Sequence, residues 1–206
     1  MAPILVDSTK IGGAAYGGVV TRIVAGEAGG RRLAVPPGDR TRPTSDRTRE
    51  ALFGTLAGLL DLDGARVLDL YAGSGAVGLE AVSRGAAAAL LVDADARAAA
   101  TARANATALG LADRVTVRRD RVDRVLTVPP EGGPYDLVFA DPPYALADAE
   151  IDAALATLAA TGWLARGAVL VVERSSRGTG PSWPDGVCPV KARRYGEGMI
   201  WYGRSS

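Results

Sequence analysis

At 206 residues, 48% hydrophobic and 23% charged, the chain has the composition of a globular domain and not of a disordered segment. Its net charge of +1 does not indicate a nucleic-acid partner, and the absence of histidine excludes histidine bases, catalytic triads and the usual zinc sites. Cys188 is the only cysteine, so no internal disulfide can form. Without a membrane-length apolar run or a secretion signal, we expect a soluble, cytoplasmic monomer with neither membrane nor metal partners.

The N-terminal third contains one hairpin and one helix by its residue pattern. Residues 1–20 show no periodicity, and we predict a flexible or cloning-derived extension there. The alternating segments 22–25 and 32–35 flank a glycine-containing stretch and predict a β-hairpin. Thr44 or Ser45 is then placed to cap a helix whose apolar side carries five residues, Ala51, Leu52, Leu56, Leu59 and Leu60.

From residue 66 onward, strands and helices alternate. The apolar runs 66–70, 88–92, 115–118, 137–140 and 168–173 predict strands, and helices are predicted at 76–83, 96–109, 122–126 and 151–158. Strands that are apolar throughout favour a parallel sheet that is covered on both faces. Segments 190–194 and 199–202 break this alternation and predict a terminal antiparallel hairpin.

A glycine-rich turn follows the first of these strands. Gly73, Gly75 and Gly78 lie between strand 66–70 and helix 76–83, in a loop that also contains Ser74. Missing side chains let a ligand approach the backbone, and the helix N-terminus supplies N–H donors. This pattern predicts a nucleotide-binding loop.

Three acidic residues indicate which nucleotide the loop binds. Asp93 ends the next strand, about 20 residues beyond Gly73, where a carboxylate accepts from ribose hydroxyls. Asp120 ends the strand after that and is placed to accept from the adenine amine. Asp69 lies just before the loop, where a carboxylate would oppose a pyrophosphate but suit an ammonium group. We therefore predict S-adenosylmethionine rather than a dinucleotide.

The sequence Asp141-Pro142-Pro143-Tyr144 follows strand 137–140 and suits chemistry on a planar amine. The amine of a nucleobase is a poor nucleophile because its lone pair is delocalised, and acceptors on its N–H groups localise that pair. Asp141 and the Pro142 carbonyl can accept, the prolines fix the turn, and Tyr144 can stack on the base. No strong base is needed, because the amine loses its proton only as it becomes cationic. Such a base must be unpaired or flipped out of a helix.

Residues 21–50 carry seven arginines against four acidic residues, which is typical of a phosphate-contacting surface. Several motifs here and further on carry a family resemblance, at 22–26, 30–33, 41–44, 47–53, 68–78, 141–144 and 194–196. Through them the chain resembles class I methyltransferases, and within that class the RsmD-like guanine-N2 methyltransferases of bacterial small-subunit ribosomal RNA. Residues 1–20 do not match the family.

The resemblance implies an α/β, Rossmann-like fold with a mostly parallel seven-stranded sheet, helices on both faces and an N-terminal β-hairpin. It implies methyl transfer from S-adenosylmethionine to N2 of one guanine in 16S ribosomal RNA, in an assembling or assembled small subunit. By analogy, Asp69 and the Gly73–Gly75 loop hold the methionine part, Asp93 the ribose, Asp120 the adenine, and Asp141 with Tyr144 the target base.

The same resemblance suggests how the chain divides. Residues 21–40 would be an RNA-docking hairpin and residues 41–206 the methyltransferase domain. Five arginines are our candidates for RNA contacts: Arg22, Arg31, Arg32, Arg40 and Arg42. The alternative is that this segment is a solvated cap over the cofactor cleft.

Four rival functions fit parts of the pattern. A DNA adenine or cytosine amino-methyltransferase uses the same turn but needs a target-recognition domain for which this chain has no room. A protein glutamine methyltransferase carries asparagine at the position of Asp141. An NAD-dependent oxidoreductase is disfavoured by Asp69, and a non-catalytic RNA-binding module would leave Asp141 without a purpose.

Overall fold

The structure is a computed structural model that describes residues 21–36 and 45–206. Within these ranges the chain forms nine strands and five helices. The predicted extension 1–20, the candidate cap Thr44 and the RNA-binding candidates Arg40 and Arg42 lie outside the described residues. No helix of the described ranges is long and apolar enough to cross a membrane.

Seven strands form one sheet in the order β5-β4-β3-β6-β7-β9-β8. Their bounds are β3 Arg66–Leu70, β4 Ala88–Asp93, β5 Val115–Arg119, β6 Tyr135–Ala140, β7 Leu164–Ser175, β8 Val187–Tyr195 and β9 Gly198–Ser205. The strands from β5 to β7 pair in parallel, whereas β9 pairs antiparallel with both β7 and β8. The predicted mostly parallel sheet and the terminal hairpin are confirmed.

Helices cover both faces of this sheet. One face packs against α1 Asp46–Leu56, α2 Ala76–Ser83 and α3 Ala96–Leu109, and the other against α4 Val122–Val125 and α5 Asp148–Ala160. Alternate strand residues enter the two cores, so Val67 and Leu68 are both fully buried, on opposite sides. Burial on both faces explains why these strands read as continuous apolar runs.

Helix ends follow their local sequence closely. The hydroxyl of Ser45 accepts the N–H of Thr48 at 3.2 Å, so capping of α1 by a residue at this position is confirmed. Helix α3 ends at Gly110, which has the left-handed φ of 76° that the prediction required. Helix α1 ends earlier than its apolar pattern suggested. Leu59 and Leu60 lie in the loop that follows its last turn, and they pack against the core from there.

The N-terminal hairpin is present but shorter than predicted. Strands β1 Thr21–Arg22 and β2 Arg32–Leu33 have two residues each and pair antiparallel. Beyond Arg22, the backbone N–H groups of Val24 and Ala25 donate to the carboxylate of Glu80 at 2.7 and 3.0 Å. The predicted four-residue strands were therefore wrong in length, because helix α2 supplies the acceptors that a partner strand would have provided.

Glu80 is the centre of a buried ion cluster that joins the hairpin, α1 and α2. Its side chain is fully buried and also accepts from Nε of Arg84 at 2.6 Å. Nε of the fully buried Arg49 lies 3.9 Å from Glu80, and Arg49 also donates to the hydroxyl of Thr21 at 3.0 Å. The hairpin is thus fastened to the helix that begins at the glycine loop.

Candidate active site

Sheet register brings the predicted site loops to one edge. Leu70 at the end of β3 pairs with Val92 on one side and with Ala140 on the other, and Asp93 pairs with Arg119. The segments that follow β3, β4, β5 and β6 therefore emerge side by side at the carboxyl edge of the sheet. Open α/β sheets bind their ligands at this edge.

Asp69 links the two halves of the site electrostatically. It is 2% exposed, and its Oδ2 accepts the N–H of Gly78 at 2.9 Å. The pKa of Asp69 is raised from 3.8 to about 7, mainly by burial; the Gly78 N–H opposes the rise, and the charges of Asp141 and Asp93 add to it. The carboxyl groups of Asp93, from β4, and Asp141, after β6, thus lie near enough to Asp69 in β3 to affect its titration.

The glycines of the loop serve different purposes. Gly75 has φ 80°, and a Cβ there would lie 2.5 Å from Cδ2 of Leu91, so both its conformation and its packing require glycine. A Cβ at Gly78 would crowd Leu91 and Asp69 at 3.2 and 3.3 Å. Only at Gly73 would a Cβ meet nothing within 4 Å. The open approach to the backbone that the sequence suggested for all three glycines exists at Gly73.

Asp93 and Asp120 lie at the ends of adjacent strands, both half-buried. The Asp93 carboxylate accepts the N–H groups of Gly73 and Asp95, each at 2.8 Å, so it holds the glycine loop in place. Asp120 accepts the N–H of Arg121 at 2.8 Å. Each carboxylate oxygen has two lone pairs, so these bonds leave acceptor capacity for a ligand. The Ser74 carbonyl accepts from Nδ2 of Asn105 at 2.9 Å, which ties the same loop to α3.

The turn after β6 exposes its aromatic residue and buries its first proline. Pro142 is buried, Asp141 is half-buried and Tyr144 is 63% exposed. Desolvation raises the pKa of Tyr144, followed by the negative charges of Asp141, Glu173 and Glu197. The charges of three carboxylates and of one guanidinium, that of Arg174, therefore act on the ring that was predicted to stack on the target base.

Arg174 braces this turn and was not identified from the sequence. Its guanidinium donates to the carbonyls of Pro143 and Leu146 at 3.2 and 2.9 Å, and to Oδ1 of Asp148 at 2.8 Å. The residue lies near the end of β7, two positions beyond Val172, which pairs with Ala140. Only the register between β6 and β7 brings it to the turn, so no local sequence signal could have revealed it.

Tyr71 is a second residue at this edge of the sheet that the sequence did not single out. Its φ of 62° is the only positive φ of a non-glycine residue in the described part of the chain. A bulky residue in the left-handed region stores strain of about 1–3 kcal/mol, which is typical of functional sites. Burial raises the pKa of Tyr71 to about 12, with smaller contributions from Asp123 and Glu150. It directly follows β3, between Asp69 and the glycine loop.

Three of the five arginines predicted to bind RNA lie in the described part of the chain. Arg22 is 62% exposed and pairs with Asp46, with Nε 3.3 Å from Oδ2. Arg31 donates to the carbonyls of Leu109, at 2.7 Å, and Ala108, so its guanidinium caps the C-terminus of α3. Arg32 is exposed. Arg31 thus contributes to the structure, and RNA binding by Arg22, Arg31 and Arg32 stays a prediction.

The sheet order, the nucleotide-type glycine loop and the Asp-Pro-Pro-Tyr turn beside it define a class I methyltransferase. The comparisons agree with this class. Residues 21–204 match the family described as conserved hypothetical protein 95, so the chain belongs to that family, and the resemblance to RsmD-like methyltransferases is confirmed.

Individual relatives give the extent of the similarity. Ribosomal RNA small subunit methyltransferase D of Escherichia coli is 36% identical over 163 residues, which are 79% of each chain. The protein of the same description from Haemophilus influenzae is 33% identical over 74% of this chain and 77% of that one. Among solved structures, yhhF of Escherichia coli superposes with a TM-score of 0.78 at 31% identity, covering 90% of this chain and 98% of that chain.

Proposed function

We propose that this protein transfers a methyl group from S-adenosylmethionine to the exocyclic N2 amine of a guanine in 16S ribosomal RNA of the small subunit. One observation carries the proposal: the pairing of Leu70 with Ala140 sets the glycine loop and Asp141 side by side at one sheet edge. The descriptions of its relatives as methyltransferases of small-subunit ribosomal RNA support the substrate.

The residues present fit S-adenosylmethionine. Asp69 and Asp93 place carboxyl groups against the glycine loop, which suits a ligand with an ammonium and a sulfonium group and disfavours a pyrophosphate. The open backbone at Gly73 would receive the methionine part, Asp93 the ribose and Asp120 the adenine. When bound, S-adenosylmethionine supplies an electrophilic methyl carbon whose bonding electrons leave with the sulfur.

Asp141 prepares the amine that attacks this carbon. Its carboxylate accepts one N–H of the amine, and the Pro142 carbonyl accepts another, so the nitrogen lone pair is released from the ring and forms the new N–C bond. The nitrogen becomes cationic and returns to neutrality by losing a proton toward Asp141 or water. Rigid positioning accounts for most of the acceleration, and the prolines and Arg174 provide it.

The charges around Tyr144 favour guanine over adenine and cytosine. Asp141, Glu173 and Glu197 all act on this ring, and carboxylates only accept hydrogen bonds. The edge of guanine that carries N2 presents two neighbouring donors, N1–H and N2–H. The corresponding edges of adenine and cytosine each place a ring-nitrogen acceptor beside the amine, and that acceptor would face a carboxylate. Asp141 alone suits the amine of any of these bases, so the support for guanine comes from the two further carboxylates, those of Glu173 and Glu197.

Methylation of ribosomal RNA tests the proposal directly. We expect the purified protein and labelled S-adenosylmethionine to methylate small subunits, or their 16S RNA, from cells that lack the gene. Mass spectrometry should locate one N2-methylguanine, present in RNA from wild-type cells and missing without the gene. Labelled adenine or cytosine, or no difference between the two RNAs, would contradict the assignment.

Asp69 should make the free energy of unfolding depend on pH, and it should also contribute to cofactor binding. Because folding raises its pKa, the folded state favours the protonated form, so the stabilisation is complete below pH 3.8 and is lost as pH rises to about 7. At about 1.4 kcal/mol per pKa unit, the free energy of unfolding of Asp69→Asn relative to that of wild type should be about 2–3 kcal/mol higher at pH 8 than at pH 5. Urea unfolding at the two pH values measures this difference.

The same substitution should weaken S-adenosylmethionine binding about tenfold or more, because the amide cannot balance the cationic ligand. Asp113→Asn is the matched control, since Asp113 is exposed in the turn before β5 and away from the site edge.

If Asp69→Asn gains the same stability over wild type at pH 5 and at pH 8, Asp69 does not have the raised pKa on which the stability prediction rests.

A further inference from the structure

A second polar cleft opens beside the Asp-Pro-Pro-Tyr turn. It has a volume of about 560 Å³ and lies between Tyr144, the segment that follows β7 and the turn between β8 and β9. Its lining residues are Tyr144, Ser175, Ser176, Arg177, Arg194 and Glu197. This volume is in the range of small-ligand sites and could hold a group of nucleotide size.

The walls of this cleft are fixed by the sheet. Ser175 at the end of β7 pairs with Gly198 at the start of β9, and the N–H of Ser176 donates to the Glu197 carbonyl at 2.9 Å. On the opposite wall, Nε of Arg194 donates to the carbonyl of Gly196 at 3.1 Å, so its side chain folds back over its own turn. The cleft is therefore formed before any ligand binds.

Two of the lining residues, Arg177 and Arg194, are exposed arginines that form no ion pair within the described part of the chain, although the carboxylate of Glu197 lines the same cleft. Among the described residues, neither Arg177 nor Arg194 takes part in an ion pair, whereas the neighbouring Arg174 pairs with Asp148. Arginine forks suit phosphate oxygens, and basic grooves that track a backbone beside an aromatic ring are typical of single-stranded nucleic-acid sites. The one carboxylate of the cleft, on Glu197, can accept base N–H groups.

We propose that this cleft binds the single-stranded RNA segment next to the target guanine, with Arg177 and Arg194 contacting the phosphates that flank it. The proposal rests on the proposed function, because it takes Tyr144 as the platform of the target base. A duplex is disfavoured because stacking on Tyr144 requires a base that has left its helix. The surface is separate from the N-terminal hairpin, which is fastened to α2.

The double variant Arg177→Ala/Arg194→Ala tests the cleft. We expect its dissociation constant for 16S RNA from cells lacking the gene to rise about tenfold. The slope of log Kd against log salt should flatten by about 0.7 for each phosphate contact that is lost. Calorimetry with S-adenosylhomocysteine should give the wild-type affinity, because neither arginine lies at the glycine loop.

Arg166→Ala is the control, because Arg166 is equally exposed near the start of β7, away from the carboxyl edge. If the double variant matches this control in affinity and salt slope, the cleft proposal is overturned and the methyltransferase function stands. If wild-type protein transfers no methyl group to this RNA, the proposed function fails instead. If the alanine variant loses S-adenosylhomocysteine binding, the double variants Arg177→Lys/Arg194→Lys and Arg177→Gln/Arg194→Gln replace it. The lysine variant should keep the wild-type salt slope and the glutamine variant should not. Equal slopes in the two variants would overturn the proposal.

Discussion

Asp141→Ala should reduce kcat for methyl transfer about 10²–10³-fold or more while leaving S-adenosylmethionine affinity within about threefold of wild type. The carboxylate is the acceptor that turns the lone pair of the amine toward the methyl carbon, and alanine offers none. The cofactor contacts should stay intact, because they are assigned to Asp69, the glycine loop, Asp93 and Asp120, and none to Asp141. Single-turnover methylation with labelled cofactor measures the first effect and calorimetry the second.

The matched control for this experiment is Asp185→Ala, because Asp185 is exposed in the loop before β8. This control should keep wild-type turnover. Retained turnover in Asp141→Ala would refute the role given to Asp141. Loss of turnover together with cofactor affinity would instead place that carboxylate in the cofactor pocket alone.

Glu80→Ala should lower the free energy of unfolding by about 3–5 kcal/mol, which is the effect expected when one partner of a buried ion pair is removed. Three half-buried groups then lose an acceptor: the N–H groups of Val24 and Ala25, and the guanidinium of Arg84. The buried Arg49 also loses a nearby negative charge. Urea denaturation at pH 7 measures the change.

Glu50→Ala serves as the comparison, because Glu50 is exposed on α1 and its loss should alter stability by no more than about 0.5 kcal/mol. A change of less than about 1 kcal/mol for Glu80→Ala would mean that the hairpin is not held by this carboxylate. Proteolysis of the N-terminal segment offers a second readout, since the freed hairpin should be cut faster than in wild type.

Local and periodic signals predicted most of the fold. Strand β3 and helices α2 and α3 have the bounds that the sequence indicated, because buried parallel strands are apolar throughout and helix ends carry recognisable caps. The convergence of Asp69, Asp93 and Asp141 follows from the same logic, since parallel strands with short loops end at one edge.

Features that depend on distant partners could not be predicted. The hairpin strands are short because their N–H groups bond to Glu80, more than 50 residues away in sequence. The capping of α3 by Arg31, through carbonyls 77 and 78 residues further on, was not predicted, and RNA contact by Arg31 stays a prediction. Arg174 reaches the Asp-Pro-Pro-Tyr turn only through strand register. An arginine-rich composition does not distinguish structural from solvent-facing guanidinium groups.

The position of Arg174 has a consequence for how the protein discriminates between RNA substrates. Its guanidinium sets the backbone that follows Asp141, and the next three residues of the chain, 175–177, form one wall of the cleft. A poorly fitting neighbour of the guanine would therefore displace the same strand end that aligns the amine. Mismatched RNA should then be bound more weakly and should also be methylated more slowly in the chemical step.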